Sequence, residues 1–202
     1  MKIIGLTGSI AAGKSTVVEW MNELGIATHD SDCAVHELLG PEGGAVKKVL
    51  AEFGPHFGTT SGGINRQSLG DEVFAAPQKR VKLESILHPM VRQHRDAFVT
   101  KQRKANAVAI VLDIPLLFET GGEVMCDYVI VVYASTKTIV KRALGRPGMS
   151  KDKLASILAV QLPSDDKKAW ADLALDSDTS KDETRNKLID WLSIIGLSNV
   201  KD

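Results

Sequence analysis

The chain has 202 residues, is 44% hydrophobic, and carries 25 basic and 25 acidic side chains for a formal net charge of zero. That length holds one α/β domain with insertions or two small domains around a real core, and the balanced charge gives no overall pull toward nucleic acid or an anionic membrane. Cys33 and Cys126 have neither disulfide-scaffold nor metal-ligand spacing, no run approaches the roughly 18 apolar residues of a spanning helix, and Ile3–Thr7 is too short for a signal peptide, so a soluble cytoplasmic α/β protein is expected.

Lys2–Thr7 is a short β-rich apolar run suited to a buried strand. A glycine turn follows, then a helix over Lys14–Leu24, with Val17, Val18, Met21 and Leu24 at helical spacing and Gly25 closing it. Ile26–His29 leads as a strand into the pair Asp30 and Asp32. Strand, glycine loop, helix and strand in this order open a parallel, doubly wound sheet. From Ser31 to Lys104 the pattern turns helical. Helices are predicted over 32–39, 45–53, 66–74, 77–87 and 89–104, broken by the turns "GPEGG" and "GTTSGG", and no strand is predicted there. Buried-strand character returns over Ala107–Glu119 and again over Asp127–Ala134. Two helices, "TKTIVKRAL" and "SKDKLASILAVQ", flank an arginine-bearing connection. Leu173–Leu175 is a last short strand, and Ser180 with Glu183 sets a capping box for a final helix.

The loop Gly8–Ser15 fits G-x-x-x-x-G-K-[ST], with a buried strand before it and an amphipathic helix after it. Glycines let the backbone turn its N–H groups onto phosphate oxygens, the helix adds its positive end, Lys14 reaches the β and γ phosphates, and the Ser15 hydroxyl ligates magnesium. Thr16 follows at the helix start. Ala11 and Ala12 are tolerable here with negative φ, because a methyl group then leaves the amides accessible. Asp113, at the end of an apolar strand, stands where many phosphate-loop proteins keep the aspartate that organises magnesium.

A GTP switch would carry Asn-Lys-x-Asp after a later strand. The terminal "NVKD" has the wrong order and follows no strand. A helical insertion after the second strand offers room for an acceptor, and Arg142 and Arg146, four residues apart, suit a lid that brings positive charge to a transferring phosphoryl group. The resulting expectation is a phosphate-loop α/β/α sheet core over 1–31, 105–135 and 171–202, a helical acceptor domain over 32–104, and a lid over 136–170. A small kinase reads best. A nucleoside or nucleotide kinase and an ATP-hydrolysing binding module are the alternatives; nucleic-acid binding has no basic stripe or recognised module behind it.

The motifs "GLTGSIAAGKST", "DSDCAVHELL", "INRQSLGDEVF", "LESILHPMVR", "LDIPLLFETG", "KRALGRPGMS" and "ILAVQLPSDDKKAWADLALD", in this order over residues 1–195, resemble the dephospho-CoA kinase family. The resemblance implies transfer of the ATP γ-phosphoryl group to the ribose 3′-hydroxyl of dephospho-CoA, with Mg²⁺, by a monomer or small homo-oligomer. In place of commoner family residues the chain has Ser9 and Ala11 where glycine is frequent, Ser31 where alanine is, and Ser177 where asparagine is, the last bearing on adenine-side contacts.

On spacing alone, Asp30 and Asp32 read equally as a helix N-cap or as an acid pair at a hydroxyl. The resemblance makes Asp32 the proton acceptor, beginning the helix that faces the loop, with Asp30 assisting. Arg66 and Arg92 fall in the acceptor domain and suit the substrate's pyrophosphate. His88, before Pro89 at a helix start, caps, packs or lines substrate. Leu116 is wall, and Glu119 an ion-pair partner within the site. Gln161 and Lys167 match family positions without an assignable chemistry. His29, His36, His56 and His94 lack metal-ligand spacing, and the three tryptophans read as core or interface.

Overall fold

The structure, a computed structural model, describes residues 1–197; residues 198–202, with the "NVKD" tetrapeptide and the end of the expected core segment, lie outside the described residues. The chain forms two compact units, one made of Met1–His29 with the chain from Gln102 onward, the other of Asp30–Lys101.

The first unit is built on a five-stranded sheet in the order β2-β3-β1-β4-β5. The strands are β1 (Lys2–Gly8), β2 (Ala27–Asp30), β3 (Ala109–Asp113), β4 (Tyr128–Tyr133) and β5 (Leu173–Asp176). β1 pairs in parallel with β3 and β4, and β4 with β5. A central parallel strand is covered on both faces, so it reads as an unbroken apolar run, and every residue of β3 is buried. On one face Val17, Trp20 and Met21 of α1 (Lys14–Glu23) and Leu188 and Leu192 of a C-terminal helix meet Ile4, Leu6, Val111, Ile130 and Val132. On the other, Leu117, Phe118, Cys126 and Ala171 pack on Val129 and Val131. The strand expected over Ala107–Glu119 is shorter than its apolar run: it stops at Asp113, and Pro115–Glu119 turns back beneath the sheet, with Thr7 Oγ1 donating to the Pro115 carbonyl at 3.0 Å.

The second unit begins with α2 (Ser31–Leu38), α3 (Val46–Phe53) and α4 (Arg66–Ala75), around its own core of Leu39, Val46, Val49, Phe57, Ile64, Leu69 and Leu87. The two helices expected over 77–87 and 89–104 are one, α5 (Pro77–Lys104), with Pro89 inside it. An interior proline removes one helix hydrogen bond and costs about 3 kcal/mol. Leu83, Ile86 and Leu87 before Pro89 and Met90 after it all pack on the same core, and that two-sided packing holds the helix through the defect. His88 is therefore a mid-helix, exposed residue rather than one at a helix start.

The later part of the first unit adds α6 (Thr136–Leu144), α7 (Lys151–Ala159), α8 (Ser164–Ala169) and α9 (Lys181–Ile194). α9 opens on the expected capping box: Ser180 Oγ accepts from the Glu183 amide, and the Glu183 carboxylate accepts from the Ser180 amide. Hydrogen bonds from the Ser180 amide, then its hydroxyl, hold the Glu183 carboxyl below its ordinary value of 4.5. Its stabilising share is therefore complete above about pH 4.5 and is lost as the pH falls through the depressed folded-state value. Because Leu188 and Leu192 tie this helix into the main core, Ser180→Ala is expected to lower global stability by about 1 kcal/mol in urea unfolding at neutral pH; an unchanged midpoint would confine the box to local fraying.

Candidate phosphate-transfer site

The turn after β1 is shaped by two glycines. A Cβ on Gly8 would stand 2.2 Å from the Val132 carbonyl oxygen of the neighbouring strand, and Gly13 sits at φ 100, a backbone region that disfavours other residues. Gly13 is the N-cap of α1 and has no side-chain cap; of the first-turn amides, that of Thr16 donates to the Gly13 carbonyl at 3.2 Å, and the helix adds its positive end to the loop. Ala12 keeps a negative φ, but Ala11 does not: it lies at φ 58, in the left-handed region. That conformation costs an alanine on the order of 1 kcal/mol. The buried methyl group packs with Ala143 and Leu154 from α6 and α7, a contact glycine would lack.

Lys14 does not extend into solvent. Its Nζ lies 3.3 Å from Asp113 Oδ1, and the Asp113 side chain is only 9% exposed. Asp113 reaches this place because β3 pairs with β1 in a register that sets it beside Leu6. The Lys14 ammonium and the Asp113 carboxylate thus share the end of the sheet where the loop begins, and Ser15 follows Lys14 in the first turn of α1. Among the described residues no cluster of three or more His, Cys, Asp or Glu has metal-holding geometry. A hydroxyl and one carboxylate are nevertheless the hard-oxygen set that suits magnesium carried mainly by phosphates and water.

A cavity of about 300 Å³ opens beside the loop, lined by Ala11, Gly13, Ser15 and Thr16, by Arg142 and Arg146, and by Ser177, Thr179 and Thr184. Trp20, expected as core or interface, is buried in the core and also lines this cavity. Arg142 is in the last turn of α6 and Arg146 just beyond it. The Arg142 guanidinium is held by Ser177 twice, donating to its hydroxyl at 2.8 Å and its carbonyl at 2.9 Å. Ser177 therefore acts here on an arginine, a role its position after β5 did not announce. Hydrogen bonds from the Ser135 side chain and amide, with a smaller share from Arg142, keep the Asp178 carboxyl below its ordinary value.

Glu119 is an ion-pair partner, and the group it pairs with is Lys167. Its Oε1 lies 2.6 Å from Nζ of the fully buried Lys167 and accepts the Leu162 amide at 2.8 Å. Leu116 is half-buried in the same turn.

The remaining expected residues lie in the second unit. Asp30 is the N-cap of α2: its Oδ1 accepts the Asp32 amide at 2.8 Å and the Cys33 amide at 3.0 Å. Asp32 stands exposed in the first turn of that helix. Arg66, at the start of α4, lines a cavity of about 610 Å³ with His36, Glu37, Thr59 and Ser61. His88 and Arg92 are exposed on α5.

The sequence profile of the dephospho-CoA kinase family matches residues 2–183. The chain is similar to a dephospho-CoA kinase of Rhodospirillum rubrum, 50% identical over 161 residues covering 80% of this chain and 76% of that one. It is 41% identical over 199 residues to one from Brucella melitensis, covering 98% and 96% of the two chains. The solved structure of a dephospho-CoA kinase from Campylobacter jejuni superposes with a TM-score of 0.68 at 26% identity, covering 96% of this chain and 97% of that one.

Proposed function

The chain belongs to the dephospho-CoA kinase family, and we infer from that premise that it moves the ATP γ-phosphoryl group onto the ribose 3′-hydroxyl of dephospho-CoA, giving coenzyme A. The observation that carries the reading is the phosphate loop itself, with Lys14 held against Asp113 and arginines beside the cavity at its mouth.

The loop amides and the start of α1 cradle the phosphates, while Lys14 takes the β/γ region. Arg142 and Arg146 supply charge to the transferring group from a lid over 136–170, whose closure excludes water. The core is assigned to 1–31, 105–135 and 171–202. The acceptor is assigned to the helical domain 32–104, and the Arg66-lined cavity supports a pyrophosphate-binding role there, with Arg92 and His88 as further contacts. Asp32 accepts the proton of the attacking hydroxyl, since a sugar hydroxyl is a weak nucleophile. Ser15 and Asp113 would hold magnesium, which would supply neutralisation of the phosphate charge. The thiols of Cys33 and Cys126 fit a cytoplasmic location; no described helix is long and apolar enough to cross a membrane.

The test is ADP release with magnesium and ATP, with and without dephospho-CoA, with mass spectrometry of the acceptor. Gain of one phosphate by dephospho-CoA supports the reading. ADP release with no phosphorylated acceptor replaces it with an ATP-hydrolysing module, and turnover of nucleoside monophosphates alone replaces it with a nucleotide kinase.

A further inference from the structure

Three consecutive residues of the phosphate loop are gripped by one stretch of chain far away in sequence. Ser9 Oγ is 2.9 Å from Ser164 Oγ. The Ile10 amide donates to Gln161 Oε1 at 3.2 Å. The Ala11 methyl group packs against Ala143 and Leu154. The residues after Gln161 are themselves pinned: the Leu162 amide donates to Glu119 Oε1, and that carboxylate holds Lys167, whose side chain is fully buried. A buried charge of this kind is stable only while paired, so the pair fixes the arm that carries Gln161 and Ser164.

The loop needs such a hold. Ala11 is in the left-handed region, which an L-residue adopts only when its surroundings impose it. A cradle of backbone amides binds phosphate tightly only if its shape exists before the ligand arrives, since otherwise part of the binding energy goes into ordering it. We propose that Gln161 is a positioning residue for the nucleotide: anchored by the Glu119–Lys167 pair, it holds the Ile10 amide and so presets the phosphate loop for the ATP phosphates. This rests on the kinase reading only in taking the loop's ligand to be ATP. Gln161 touches the loop and no reacting atom. Its loss therefore weakens nucleotide binding while leaving the chemical step intact.

The decisive variant is Gln161→Met, which keeps length and volume and removes the acceptor. One hydrogen bond of this type corresponds to about a three- to tenfold change in an equilibrium constant. Titration calorimetry with ATP and magnesium on the full chain is expected to show the dissociation constant raised by about that factor. KM for ATP rises in parallel, kcat at saturating ATP stays within about twofold, and the ligand-free unfolding temperature is unchanged. A purely structural role moves the last two quantities and spares the first. Parent-like ATP affinity in Gln161→Met overturns the proposal, as does a fall in kcat and unfolding temperature at constant affinity. If the parent binds ATP but leaves dephospho-CoA unphosphorylated, the kinase reading fails while the calorimetric comparison still decides the role of Gln161. A parent that does not bind ATP overturns both.

Discussion

Lys14→Ala is expected to lower kcat/KM for phosphorylation of dephospho-CoA by about a thousandfold or more. The transition state of phosphoryl transfer is loose and spreads negative charge over the equatorial oxygens, so a positioned cation contributes chiefly by neutralising that charge, and single cations at such sites account for about 10³–10⁵ in rate. The structure adds a complication. Lys14 is also the cation beside Asp113, and the two side chains are 19% and 9% exposed. Deleting one member of a fully buried pair costs about 3–5 kcal/mol; this pair retains some solvent, so a smaller loss of stability accompanies the loss of activity. The second substitution Asp113→Asn on the Lys14→Ala background separates the two effects. It removes the uncompensated carboxylate, so the unfolding midpoint moves back toward the parent while activity is not restored. Near-normal turnover by Lys14→Ala would take the phosphate loop out of the mechanism altogether.

The parts of this protein that could be read in the sequence are those in which one local pattern has one structural outcome. β1 and β4 are apolar runs because a central parallel strand has two covered faces. Lys14 and Ser15 announce themselves because the amides, the helix end and the lysine must follow one another within a single turn. The misreadings lie where distant packing decides. Pro89 looks like a helix boundary, yet core contacts on both sides carry α5 through it. Ala11 reads as an ordinary small residue, and its left-handed backbone follows from the way α6 and α7 close on its methyl group. No apolar periodicity marks the polar α8, although Pro163 precedes it and Asp165 and Asp166 occupy its first turn, which is a start signal for a helix. The Gln161–Ile10 and Arg142–Ser177 bonds join residues far apart in sequence, and no spacing rule reaches that far. The acid pair lies between these cases: its spacing left two roles open, and local geometry gives the capping role to Asp30.

Asp30 has taken the capping role, with both its bonds going to the first-turn amides of α2. Asparagine caps about as well as aspartate, whereas alanine loses about 1 kcal/mol. Asp30→Asn therefore leaves stability unchanged, and Asp30→Ala lowers it by about that amount. The capping bonds of α2 do not need the Asp32 carboxylate. If it accepts the proton of the ribose hydroxyl, Asp32→Asn keeps shape and removes basicity, and positioned general bases contribute about 10²–10⁴ in rate. The expected result is a fall of kcat of at least about a hundredfold, with KM for dephospho-CoA within about threefold of the parent and an unchanged unfolding midpoint. The split between kcat and KM carries the argument. An interaction made only in the transition state lowers kcat and kcat/KM together, while one made equally in the ground state raises KM alone. A pure rise in KM for Asp32→Asn would make Asp32 a binding residue, and a hundredfold loss of kcat in Asp30→Asn with Asp32→Asn unaffected would move the base two residues back along the chain.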